Sequence, residues 1–164
     1  MGELFYEYKR IDILMTNKDN NMNTEGIIAQ IARIRESANA LIETELRKRS
    51  IEGIVPAHGP VLMFLFQQKK PVPIKAVVEK ARRVKSTVTV MINTLERYGY
   101  LRKLPCENDN RVTLVELTPK GRKLRKDFDQ ISKILLDKLY GDMKKKDRQL
   151  LVNQLDVIES NISQ

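Results

Sequence analysis

The sequence holds one cysteine, Cys106, and one histidine, His58. No intrachain disulfide can form, and the three or four cysteine and histidine ligands of an ordinary zinc site are missing. The seven glycines lie at least six residues apart, which excludes both a GxGxxG turn and a GxxxxGK[ST] phosphate loop. The longest unbroken apolar run, Val61 to Phe66, is six residues, against about 20 for a membrane span. The amino-terminal MGELFYEYKRID has two early acids and no apolar stretch long enough for a secretory leader, so a cytoplasmic protein is expected. Gly2 does not open a myristoylation motif, because Tyr6 stands where Ser or Thr is required. There are no paired carboxylates in a recognisable motif and no nucleophile elbow, and the histidine is isolated, so neither an enzyme nor a cofactor is expected.

What is present is positive charge, and it is concentrated. The 164 residues carry a formal net charge of +9. Between Lys69 and Lys126 stand 16 basic and five acidic residues, a local excess of +11, and the remaining 14 basic and 16 acidic residues leave −2 elsewhere. A basic middle between near-neutral flanks suits a module that docks on phosphates, with flanks that have another task.

The hydrophobic periodicity organises the chain. Residues 1–23 read as an arm, a short amphipathic helix over 1–15 and the polar connector TNKDNNMN. Thr24 can cap a long helix over about 25–49, with Ile27, Ile28, Ile31, Ile34, Ala38, Leu41, Ile42 and Leu46 in one stripe. Gly53 and Pro56 are expected to break it, so that 24–56 comprises this helix and a connector. A lobe over 57–118 follows, with a helix from about Ala57 to Gln68 and a two-turn helix from Ile74 to about Arg82. After a turn through Arg83 to Lys85, Ser86 is expected to cap a helix with the core face Val88, Met91, Ile92 and Leu95, stopped by Gly99. Two short helices joined by a tight turn have the layout of a DNA-binding helix-turn-helix. Tyr100 to Leu104 and Val112 to Leu117 alternate as two strands around the tip PCENDNR. Over 119–164, Thr118 caps a helix that starts at Pro119 and stops at Gly141, and a last helix covers about 145–161. The fold class is thus mainly α with a small β-hairpin wing (α+β). The flanking helices carry more apolar surface than so small a lobe can cover, which points to a homodimer.

The segments VKSTVTVMINTLERYGYLRK and ENDNRVTLVELTPKGRKL resemble the MarR family of bacterial winged-helix transcription regulators. The resemblance runs from Thr24 to Ser160 and is most specific in the Gly99 stop, the Asp109-x-Arg111 wing tip and the Leu117-Thr118-x-x-Gly121 entry to the next helix. It implies a winged helix-turn-helix with long N- and C-terminal dimerisation helices. It also implies pseudo-palindromic double-stranded operator DNA as partner, and repression relieved by a small-molecule effector, often aromatic or phenolic, bound between the dimer helices and the winged lobe. Two departures stand out: Val90 replaces a basic residue common on the family's recognition helix, and the arm is longer than the family's usual start.

On the helix after Lys85 the outward groups are Thr87, Thr89, Val90, Asn93 and Thr94. Lys85 and Ser86, at its start, are expected to bind phosphate, Val90 can touch a thymine methyl, and Asn93 can read adenine. The wing Arg111 is expected in a minor groove, oriented by Asp109 through a charge-assisted hydrogen bond. Lys75, Arg82, Arg83, Arg102 and Lys103 are candidate backbone contacts, each steepening the log–log salt dependence by about 0.9. His58 reads as structural or a cap, and Cys106 as a bystander thiol beside the wing. A second reading stays open, a winged-helix adaptor for protein or RNA without sequence-specific DNA binding, because folds do not fix functions.

Overall fold

The computed structural model describes residues 26–109 and 111–163. The expected arm over 1–23 and the Thr24 cap lie outside the described residues. The described chain divides into two units between Ser37 and Ala38. Helix α1, Ile27–Lys48, begins in the first and ends in the second.

Helix α1 stops earlier than Gly53, and without a glycine. Ser50 takes a left-handed backbone, φ 53°, so that its N–H reaches the Arg47 carbonyl and the Ile51 N–H reaches back to Leu46. This double closure of the last turn normally uses glycine at the left-handed position. It is reinforced here by Leu46, buried in the core, and Ile51, packed against it. Glu45 in the same turn pairs with Lys48 and Arg49, whose hydrogen bonds hold its carboxyl below the usual carboxylate range. Arg49 also approaches Asp127 at 3.8 Å.

The next helix is split. Pro56–His58 is a 3-10 turn, and α2 runs only over Gly59–Phe66. His58 is 6% exposed, and its Nδ1 accepts the Val55 N–H at 3.1 Å, a structural role in agreement with the sequence. Strand β1, Val72–Pro73, follows, then α3, Ile74–Ala81, and α4, Lys85–Arg97. Helix α3 ends on a second left-handed residue, Arg82, φ 48°. Strands β2, Leu101–Pro105, and β3, Thr113–Leu117, form the hairpin, and α5, Pro119–Tyr140, and α6, Lys145–Ile162, complete the chain.

The sheet is antiparallel in the order β1-β3-β2. Its register sets Val72 against Val115 and Leu101 against Leu117. Strand β1 is not legible in the sequence, because two residues beside Pro71 show no alternation. Pro73 and Pro105 sit on the two edge strands, where a missing N–H is tolerated. The core gathers Val61, Leu62 and Leu65 of α2, Val77 of α3, Val88, Ile92 and Leu95 of α4, and Leu101, Val115 and Leu117 of the sheet, with Leu124 and Ile131 of α5.

The exit from α4 and the entry to α5 are built as one junction. Gly99, φ 74°, closes α4 through its own N–H to Glu96 and the Tyr100 N–H to Leu95. The Thr118 hydroxyl donates to the Gly99 carbonyl at 2.6 Å and accepts the Gly121 N–H at 3.1 Å, capping α5 as expected. The Thr118 N–H in turn donates to the Tyr100 carbonyl. A Cβ on Gly121 would lie 1.9 Å from that carbonyl oxygen.

Helix propensity alone favours Gly121→Ala by about 1 kcal/mol. The Tyr100 backbone cannot yield, so this variant should instead lose about 2–3 kcal/mol in urea unfolding. Gly59→Ala, with open space around its Cβ, should be neutral or slightly stabilising. Equal behaviour of the two variants would refute the crossing. Burial lowers the His58 pKa, so the native state resists protonation that the unfolded chain accepts near pH 6.5. Stability should be full above about pH 7 and decline as the pH falls below about 6.5, towards the lowered native value. Urea midpoints of His58→Gln should lack that decline.

Candidate nucleic-acid interface

Helix α4 forms because its inward stripe is apolar at helical spacing: Val88, Met91, Ile92 and Leu95 are all buried. The opposite face is exposed at three of the five positions expected to point outward. Thr87, Val90 and Asn93 are exposed, Val90 by 65%, while Thr89 and Thr94 are half-buried.

The helix start differs from the expected cap. Val84 is the N-cap residue and makes no side-chain cap bond, and Ser86 lies inside the first turn. Val84 has extended backbone and a side chain that cannot accept, so no side chain of the cap residue takes the leading N–H groups of α4. Lys85, Ser86 and Thr87 are exposed there. A helix terminus in this state favours an anion through both its dipole and its free donors.

Three elements then converge. A cleft of about 450 Å³ is lined by Pro73, Ile74, Lys75 and Val78 of the β1–α3 segment, Lys85 and Thr89 of α4, and Arg111, Val112 and Thr113 of the wing. Three cations and no acid line it. The Thr89 hydroxyl is turned back onto the Lys85 carbonyl at 2.8 Å, so its proton is already used and it meets a ligand as an acceptor.

At the wing tip Asp109 acts on the backbone. Its Oδ1 accepts the Arg111 N–H at 2.9 Å, and the Val112 N–H donates to the Asp109 carbonyl at 3.0 Å. The carboxylate therefore shapes the turn that presents Arg111, in place of the expected bond to its guanidinium. Cys106, half-buried, closes the hairpin through its N–H to the Val112 carbonyl.

The remaining candidates do not join the cleft. Arg83 is exposed in the turn before α4. Arg102 is cross-strand partner to Glu116 and pairs with its carboxylate, Nε to Oε1 at 2.7 Å. Arg82 faces Glu159 of α6 at 3.6 Å, both largely exposed. Lys103 lies against α4, its Nζ 2.7 Å from Asn93 Oδ1 and 2.5 Å from Glu96 Oε2. The part of Glu96 was not readable from sequence, since nothing local links residue 96 to a lysine on the next strand.

A separate apolar pocket of about 110 Å³ lies between the end of α1, the 54–63 segment and α5, lined by Ile42, Leu46, Ile54, Met63, Phe128 and Ile131 among others. No described helix is long and apolar enough to cross a membrane.

Residues 58–121 match the family model of a winged helix DNA-binding domain. No curated protein matches the chain by sequence. Among solved structures, a MarR transcriptional regulator from Methanosarcina mazei Go1 is similar at 24% identity and a TM-score of 0.69, over 84% of this chain and 96% of that one. S. aureus MepR in a DNA complex is similar at 18% identity and a TM-score of 0.72, over 86% and 99%. Bordetella bronchiseptica BpsR, whose DNA binding is regulated by 6-hydroxynicotinic acid, is similar at 19% identity and a TM-score of 0.70, over 86% and 98%. The α4 helix, the wing and the cleft between them thus lie within a segment matching a winged helix DNA-binding domain, on a chain whose fold is that of the MarR regulators.

Proposed function

We propose that the protein is a homodimeric, MarR-type transcriptional regulator of the cytoplasm, acting as a repressor, that reads a pseudo-palindromic operator. The observation that carries this reading is the acid-free cleft in which Lys75, Lys85 and Arg111 converge from three elements beside the uncapped start of α4. Helix α4 enters the major groove with Thr87, Val90 and Asn93 toward the bases. Lys85, Ser86 and Lys75 hold phosphates, and Arg111 reaches the adjacent minor groove. Each neutralised phosphate releases counterions, so binding weakens steeply with salt.

The dimer is supported by helices with too little to pack on. Helix α6 has 18 residues and none is buried, while Leu150, Leu151 and Leu155 are each more than 40% exposed. On α1, Ile27, Ile28, Ile31 and Ile34 are exposed as well. A helix of this length takes most of its stability from packing of its apolar face, and a second copy supplies a matching stripe. The effector, an aromatic or phenolic molecule, enters at the apolar pocket between α1, α5 and the winged lobe. BpsR, with its 6-hydroxynicotinic acid, supports that class of ligand.

Selection from a random duplex library should enrich an inverted repeat whose half-sites are about 10–10.5 base pairs apart, or a small multiple of that. Salt-sensitive binding with no enriched sequence would favour the adaptor reading. Arg111→Ala should weaken binding to all duplexes and lower the salt slope by about 0.9; unchanged affinity across salt would remove the wing from the interface. Sedimentation should give twice the 19.0 kDa chain mass. Leu151→Glu with Leu155→Glu should give monomers that bind the operator at least tenfold more weakly.

A further inference from the structure

We propose that Lys103 is a positioning residue that fixes which edge of the Asn93 amide faces DNA, and thereby makes Asn93 a reader of guanine. The inference rests on the DNA-binding reading above. It replaces the adenine preference that Asn93 alone would suggest.

An ammonium group only donates, so the amide atom 2.7 Å from Lys103 Nζ must be the oxygen of Asn93. The lysine itself is pinned. Its Nζ donates a second proton to Glu96 Oε2 at 2.5 Å, and its backbone N–H donates to Glu96 Oε1 at 3.3 Å. On β2 it is register partner to Val115 of β3, a residue with no exposed surface. Two α4 side chains and one strand therefore define the orientation of an exposed amide before any DNA arrives.

Adenine offers a side chain one donor, its N6 amino group, and one acceptor, N7, and a free asparagine answers with oxygen and nitrogen together. Here the oxygen already carries a cationic donor, and a base amino group brought to it would approach that same positive charge. The Asn93 Nδ2 remains, with two protons to give. Guanine offers two acceptors, O6 and N7, and the third ammonium proton of Lys103 favours the same edge. The Glu96 carboxylate balances the lysine charge, so this preference comes from donor geometry and not from general attraction to phosphate.

The test is base selection by the purified dimer, read at the operator position whose distribution changes in Asn93→Ala. The wild type should prefer guanine there. Lys103→Met should shift the guanine-to-adenine ratio toward adenine by on the order of tenfold, while Lys103→Arg, which still donates to the amide oxygen, should keep guanine. Asn93→Asp retains the contact with Lys103 and removes the donor, so it should lose the guanine preference by a similar factor even if Lys103→Met folds poorly. A clamp with only a structural role would weaken all sequences alike in Lys103→Met and leave base ratios unmoved, which overturns the proposal. So would adenine at this position in the wild type, or no position that responds to Asn93→Ala. If the wild type enriches no inverted repeat, the regulator reading itself fails.

Discussion

The structure depends on the crossing of Gly121 over the Tyr100 carbonyl. Only a residue without Cβ allows this approach, and the approach lets the Thr118 hydroxyl bridge the Gly99 carbonyl and the Gly121 N–H. Helix α4 therefore ends against the same few atoms from which α5 begins. Both wing strands pass through the site, β2 leaving it at Leu101 and β3 returning at Leu117, and these two residues are paired and buried. A small domain with one hydrophobic core has little stability to spare. Fixing three elements at one polar knot removes the freedom they would otherwise have to rotate about the core.

That rigidity is what the surface chemistry requires. Lys75, Lys85 and Arg111 come from three separate elements, and like charges gathered around one cleft repel each other in the free protein. They stay together because their backbones are held elsewhere: α3 and α4 by Val77, Val88 and Ile92, the wing tip by the Asp109 turn. Repulsion that the fold has already overcome is relieved when an anion enters, so the arrangement favours a polyanion over neutral partners. Arg102 and Arg82, by contrast, are paired with Glu116 and Glu159. Recruiting them to DNA requires breaking those pairs; the exposed Arg82–Glu159 pair is worth at most about 1 kcal/mol, whereas Glu116 is largely shielded from solvent.

Elements made by local pattern were legible in the sequence. The Val88, Met91, Ile92, Leu95 stripe repeats at helical spacing, and the Thr118-Pro119 cap and the Gly99 stop carry their own stereochemistry. What escaped was set by tertiary contact. Ser50 and Arg82 occupy left-handed positions that local preference assigns to glycine; Ser50 is held by the packing of Leu46 and Ile51 on either side of it, and Arg82 closes α3 through its N–H to the Glu79 carbonyl. Val72–Pro73 becomes a strand only because β3 is there to pair with it. Ser86 has the right chemistry for a cap, but Val84 already has the extended backbone that begins the helix. The Asn93–Lys103 contact spans ten residues and depends on the register of β2, which no local pattern reports.

The same packing constrains how the proposed effector could act. A ligand shifts an equilibrium only by its differential affinity for two arrangements, and the winged lobe is too well packed to offer a second internal arrangement at low cost. Its joints with the end of α1 and with α5, beyond the Gly121 crossing, are made of Leu46, Leu124 and Ile131 in the shared core, Phe66 edge-on to Phe128, and Arg125 to the Phe66 carbonyl at 3.2 Å. The apolar pocket lies at these joints, with Val55, Pro56 and Gly59 among its walls. In the dimer proposed above, a molecule that binds this pocket more tightly at one spacing of the two α4 helices would shift the protein toward that spacing while leaving each α4 face intact. Control through spacing would act on affinity for the whole of the proposed operator, whereas control through the cleft would alter what each half-site reads.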